Sequence, residues 1–143
     1  MAIDYVNEAS FELPELAVAD RTVHVLELGG GAVPGLGLML ARAPFPVGKS
    51  LRDLVKAHTD QERLSLRSWS RVFEREGEVD GQPMIELGSR WRSDDGMVYQ
   101  RQAHIALDTV VLLLVGNGPL EERERTDAHV ELVLSTMRLR RGE

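Results

Sequence analysis

The segment Ala43–Ser50 (APFPVGKS) is the part of this sequence that most nearly matches a motif with known chemistry. It ends in Gly48–Lys49–Ser50 between a predicted strand and a predicted helix, where a phosphate-binding loop would lie. Pro44 and Pro46, however, have no backbone N–H to donate to a phosphate, and they stiffen a loop that must curl around it. We therefore interpret the segment as a proline break followed by a capped helix.

The remaining reactive side chains form no recognisable constellation. The chain has no cysteine and four histidines, and no histidine has a second one at HxH or HxxxH spacing. Asp94–Asp95 is typical of a turn and Glu121–Glu122 of a helix start, and no GxSxG motif frames a serine nucleophile. The sequence therefore predicts no enzyme activity, no metal site and no cofactor.

Composition narrows the class of protein further. The 143 residues show no repeat or linker, which predicts one domain over 1–143. A net charge of -6 argues against nucleic acid as a partner. No apolar run approaches the ~20 residues of a membrane span, and the acidic N-terminus does not resemble a signal peptide. We expect a cytoplasmic protein with no stable membrane association.

Periodicity predicts strands, one helix, a run of hairpin-linked strands and a final helix. Turns such as Asp80–Gly81 link neighbouring strands, so the sheet should be antiparallel and the fold class α+β. Both helices are amphipathic, and we expect them to cover one face of the sheet. The predicted strands are Ala9–Leu13, Thr22–Leu28, Gly35–Ala41, Trp69–Val79, Met84–Arg92, Met97–Leu107 and Val110–Val115, and the predicted helices start at Ser50 and span Leu120–Leu139.

The strand Gly35–Ala41 (GLGLMLA) departs from the usual alternation because both of its faces are apolar. A large exposed apolar face usually marks an interaction site. One face should build the core and the other should receive something from outside. The core-facing set is Leu36, Leu38 and Leu40, and the outward set is Gly37, Met39 and Ala41.

Soft motifs in a characteristic order extend along nearly the whole chain. They are Tyr5–Pro14 (YVNEASFELP), Thr22–Leu28, Gly37–Arg42 (GLMLAR), the helix start near Leu51, the strand around Trp91, Arg101–Gln102, and a C-terminal helix ending near Met137. In this order and spacing the chain resembles the Eag chaperones, the effector-associated adaptors of bacterial type VI secretion. These belong to the DcrB-like group with the Mog1/PsbP-like fold.

The resemblance implies a curved antiparallel sheet with helices packed on its convex face, in a homodimer. It also implies that the concave face holds the hydrophobic N-terminal transmembrane segments of a secreted effector, which the chaperone then helps to load on the secretion spike. The client-binding residues implied by position are Val23, Val25, Gly37, Met39, Ala41 and Gln102, and alternation adds Gln100 and His104 to the face of Gln102. Family members carry serines at the positions of Gly37 and Ala41, so this chain keeps the small size and lacks the hydroxyls.

Three other readings of the apolar face stay open from the sequence. The chain could be a Mog1/PsbP-like module that binds a folded protein partner. It could be an enzyme or a small-molecule binder that uses the same concavity. The apolar face could also serve only as a dimer interface.

Overall fold

The structure is a computed structural model that describes residues 3–6, 9–12, 17–20, 25–28 and 37–139, with side chains described over 37–139. The strands are β1 (Ile3–Val6), β2 (Ala9–Glu12), β3 (Ala17–Asp20), β4 (Val25–Leu28), β5 (Gly37–Pro44), β6 (Ser70–Val79), β7 (Gln82–Ser93), β8 (Gly96–Ala106), β9 (Val110–Pro119) and β10 (Arg138–Leu139). The helices are α1 (Leu51–Ser65) and α2 (Arg123–Thr136), the second preceded by the 3₁₀ turn Leu120–Glu122.

The described strands form two antiparallel sheets. The larger has seven strands in the order β3-β4-β5-β9-β8-β7-β6, and the smaller has three in the order β1-β2-β10. Every described pairing is antiparallel, which confirms the predicted α+β class. Strand β2 lies between β1 and β10 in the smaller sheet.

The two helices pack on opposite faces of the larger sheet, where the sequence predicted both on one face. Alternation along β8 makes this clear, since Gln102 and His104 lie beneath α1 whereas Arg101 contacts α2. We call these the α1 face and the α2 face. An apolar stripe on a helix indicates that the helix packs against the sheet, but it does not indicate which face. Strands that are apolar on both faces can pack against a helix on either face. The α1 cluster contains Leu51, Val55, Ile85, Leu87 and Val111, and the α2 cluster is built around Leu38, Leu40, Ile105, Leu112, Leu114, Val130 and Val133.

Helix α1 starts with the predicted cap. Ser50 Oγ accepts a hydrogen bond from the Asp53 backbone N–H at 3.1 Å, and Asp53 Oδ2 accepts one from the Ser50 N–H at 3.0 Å. This reciprocal pair is a capping box. The same hydrogen bonds lower the pKa of the Asp53 carboxyl. The predicted capped helix is thus confirmed, whereas the strand continues through Pro44, which lies opposite Val110, and breaks only after it.

The C-terminal part differs from the prediction at both ends of its helix. Strand β9 continues to Pro119, beyond its predicted end at Val115, and α2 spans Arg123–Thr136 in place of the predicted Leu120–Leu139. A β-carbon at Gly116 would collide with the Val130 side chain of α2. A glycine in the strand therefore lets α2 approach the sheet closely.

Candidate functional site

The strand register brings the predicted client-binding residues onto one face of the sheet. Val25 lies opposite Met39, Met39 opposite Val115, and Val115 opposite Gln102. Directly opposed residues of antiparallel strands share a face, so these positions form a row across four strands of the α1 face. The flanking rows hold Gly37, Asn117 and Gln100 on one side and Ala41, Leu113 and His104 on the other. Val23 lies outside the described residues.

Strand β5 divides its two apolar faces as predicted. Leu38 and Leu40 are 3% and 4% exposed and belong to the α2 cluster, and Leu36 lies outside the described residues. Gly37, Met39 and Ala41 are only half-buried and face the other way. From Gly37 to Ala41, residues of β5 are therefore alternately buried and half-buried, although all of them are apolar. The role of the second set in binding a client stays a prediction.

Gln102 and His104 lie beneath α1 and are 2% and 5% exposed. The Gln102 side-chain amide donates to both Glu62 carboxylate oxygens, at 3.3 and 3.2 Å, and to the Gln100 side-chain oxygen. These bonds satisfy a buried polar group and tie the last turn of α1 to the sheet. A client could touch Gln102 or His104 only after α1 moved, so their contact with a client also stays a prediction.

The hydrogen bonds of Gln102 determine the state of His104. Since the Gln102 amide nitrogen donates to Glu62, its oxygen accepts from His104 Nε2 at 3.1 Å, and Nε2 must carry the hydrogen. Burial, together with the nearby His58 and Arg71, lowers the pKa of His104 to about 4. The imidazole is therefore neutral at physiological pH and acts as a hydrogen-bond donor within the fold.

A second polar cluster, which the sequence did not reveal, lies on the α2 face around Arg101. Its guanidinium is 3% exposed and contacts Glu86 at 2.6 Å, with Glu131 at 3.0 Å and Asp127 at 3.4 Å. Burial lowers the pKa of Arg101, but the bonds to Glu131 and Glu86 outweigh it and raise the pKa overall. Tyr99 donates its hydroxyl hydrogen to Asp127 at 2.7 Å. These bonds hold α2 against the sheet, and we call them the Arg101 clamp. The available sequence signal for this cluster was Arg101 itself, a charged residue that shares one face of β8 with core residues.

The part of the α1 face beyond α1 is less buried. We call six half-buried residues of this part the open strip. The open strip consists of Gly37, Met39, Ala41, Leu113, Asn117 and Gln100. Three of them, Met39, Ala41 and Leu113, belong to neither core cluster. Apolar side chains lie at one end of the strip and amide side chains at the other, an arrangement that suits an apolar segment with some hydrogen-bonding groups.

Within residues 37–139, no group of three His, Asp or Glu side chains is arranged to hold a metal ion. Among the described helices, neither is long and apolar enough to cross a membrane.

The fold and the family are shared with known proteins. The antiparallel sheet with its helices is the Mog1/PsbP-like α+β fold. A profile of the DcrB family matches residues 8–136, and the chain belongs to the DcrB family. Its sequence matches no curated protein.

Three solved structures illustrate how widely the fold is used. PA94 from Pseudomonas aeruginosa, a protein of unknown function, is 16% identical over 99% of both chains, with a TM-score of 0.76. LpqN, involved in cell envelope biogenesis of Mycobacterium tuberculosis, is 8% identical over 92% of this chain and 82% of its own, with a TM-score of 0.77. The cyanobacterial PsbP from Synechocystis sp. PCC 6803 is 12% identical over 92% of this chain and 86% of its own, with a TM-score of 0.63.

Proposed function

We propose that this DcrB-family protein is a cytoplasmic chaperone that binds the apolar N-terminal segments of a type VI secretion effector along the open strip. In this proposal the protein is a homodimer, performs no catalysis, and reaches the secretion spike through its effector. The observation that carries the proposal is the half-buried face of β5 and β9, where Met39 and Leu113 lie beside the small residues Gly37 and Ala41.

The chemistry of the strip supports a helical apolar client. A membrane-spanning helix exposes ~20 apolar residues, which aggregate in water unless they are covered. Helices in membranes approach closely where residues are small and bond through amide side chains. Gly37 and Ala41 provide the small residues, and Gln100 and Asn117 provide the amides.

Co-expression with the N-terminal region of the effector encoded beside this chain tests the proposal. We expect that region to be soluble with the wild-type protein and to aggregate without it. Met39→Asp and Leu113→Asp should each abolish this protection, because a carboxylate would be buried against an apolar client. Val47→Asp is the matched control, since Val47 is a fully exposed apolar side chain in the loop before α1 and is not part of the strip.

Two results would contradict the proposal. An effector region that stays equally soluble without this protein needs no such chaperone. If Met39→Asp instead converts a dimer into monomers in light scattering and leaves effector solubility unchanged, the strip is a dimer interface.

A further inference from the structure

Two arginines flank one tryptophan where α1 ends and β6 begins. The guanidinium carbons of Arg63 and Arg71 each lie 5.0 Å from the centroid of the Trp69 ring. The indole Nε1 of Trp69 is buried, with no hydrogen-bond partner among the described residues. We call Arg63, Trp69 and Arg71 the arginine–tryptophan cluster.

The arginines of this cluster are only partly neutralised, because the Glu62 and Glu74 carboxylates act on Arg71 from beyond ion-pair distance. Neither Arg63 nor Arg71 forms an ion pair with any described carboxylate. Arg71 is half-buried, and its Nη1 and Nη2 donate to the neutral hydroxyls of Ser89 and Thr59 at 2.5 and 2.6 Å. The Glu62 carboxylate on the same helix is instead engaged by Gln102 and by the α1 histidine one turn earlier. Arginine guanidinium groups recognise carboxylates and phosphates through paired, charge-assisted hydrogen bonds, so this cluster is suited to binding an anion.

The cluster is continuous with the open strip. Arg71 lies opposite Ser89, Ser89 opposite Gln100, and Gln100 opposite Asn117. These four positions form one row across the α1 face, and the row continues through Gly37 of β5 to Glu27 of β4. An extended or helical segment on the strip would therefore have the arginines beside one of its ends.

We propose that the arginine–tryptophan cluster binds a carboxylate of the client protein, from an Asp or Glu that borders the apolar segment on the open strip. This inference rests on the proposed function. Guanidinium groups bind carboxylates through paired, charge-assisted hydrogen bonds, and stacking on Trp69 holds both groups in place beforehand. A net charge of -6 disfavours long-range attraction of polyanions such as nucleic acid or an anionic bilayer, whereas one carboxylate next to an apolar segment is bound at short range.

Defined fusions to a soluble carrier test the inference. One carries an apolar segment of about 20 leucines, alanines and glycines followed by a pair of glutamates. The second ends in glutamines instead, and the third has the glutamates without the apolar segment. We expect the wild-type protein to bind the first about tenfold more tightly than the second. In a Trp91→Phe background, which leaves Trp69 as the remaining tryptophan of the two in the sequence, the first fusion should change the emission and the second should not.

Variants identify the responsible groups. The preference for glutamate should fall below about twofold in Arg63→Gln and Arg71→Gln, since each loses one half of the charged pair. Arg63 is exposed and its side chain has no hydrogen bond to a described residue, so its variant decides the question even if Arg71→Gln unfolds. Arg52→Gln is the control, because Arg52 is an exposed arginine of the same helix that pairs with Glu76.

The outcomes separate this inference from the proposed function. Equal binding of the glutamate and glutamine fusions overturns the inference and leaves the proposed function standing. A preference that persists in both Arg63→Gln and Arg71→Gln also overturns it. The third fusion, which has glutamates and no apolar segment, could be the only one that binds, and its binding could depend on the arginines. That result would support the carboxylate site and contradict the proposal of an apolar client. Arginine-dependent binding of phosphatidylglycerol vesicles in place of the fusions, or no binding at all, overturns the inference.

Discussion

Replacing His104 with glutamine is expected to remove a pH-dependent part of this protein's stability. His104 is 5% exposed on β8, and its Nε2 donates a hydrogen bond to Gln102. Burial, and after it the charges of His58 and Arg71, lowers its pKa from 6.5 to about 4. Unfolding exposes the ring to water and restores its ordinary pKa.

The sign and size of the effect follow from proton linkage. Above pH 6.5 the ring is neutral in both the folded and the unfolded chain, and its full contribution to stability is present. Between pH 6.5 and 4 the unfolded chain binds the proton first, so the free energy of unfolding decreases as the pH falls. At a pH of about 4.5 the loss is about 2.5 kcal/mol, and the contribution levels off below the folded pKa.

Urea denaturation at neutral pH and at a pH of about 4.5 measures this loss. Other groups also titrate in this range, so the informative quantity is the difference between the wild type and His104→Gln. The variant should lose about 2.5 kcal/mol less on acidification than the wild type does. Proton NMR of the wild-type ring should place the pKa of His104 well below 6.5. In His58→Gln that pKa should rise only part of the way back, because burial is the larger cause.

Equal acid sensitivity of the wild type and His104→Gln would refute this reasoning. An NMR pKa near 6.5 would do the same, since it would mean that α1 does not bury the ring in solution.

Further predictions concern the buried ion pair of Arg101, the close approach of α2 to the sheet and the N-terminal cap of α1. Glu86→Gln should destabilise the protein by about 3 kcal/mol in urea denaturation, because it removes one partner of the buried Arg101 pair. Gly116→Ala should cost about 1–3 kcal/mol by the same measurement, because the new methyl group meets Val130. Ser50→Ala should cost about 1 kcal/mol and lower the melting temperature in calorimetry, because the first turn of α1 loses its cap.

Each of these has a matched control. Glu76→Gln removes a carboxylate whose pair with Arg52 is exposed, so its cost should stay below about 1 kcal/mol. Gly77→Ala places a methyl group against the movable end of Met84 and should change stability by less than about 0.5 kcal/mol. Ser65→Ala removes an exposed hydroxyl at the other end of α1 and should have a similarly small effect. Controls that cost as much as their test variants would contradict the reasons given.

Local pattern in the sequence was enough for most of the elements. The two-residue period of β6, β7 and β8 and the turn residues between them predict an antiparallel meander, because side chains alternate across a strand. Ser50 and Asp53 predict the start of α1, since a capping box needs only residues three apart. The buried and half-buried sides of β5 were also predictable from its alternating leucines.

Only the tertiary structure decided which helix covers which face. The sequence predicted Gln102 and His104 as residues of an exposed groove, yet α1 buries them. The sequence could not indicate this, because Glu62, the α1 residue that bonds Gln102, is 40 positions away along the chain. Arg101 lies in the core for the same reason, since its neutralising carboxylates come from β7 and α2. Period and propensity act over a few residues, whereas the burial of a polar side chain depends on a partner that only folding brings to it.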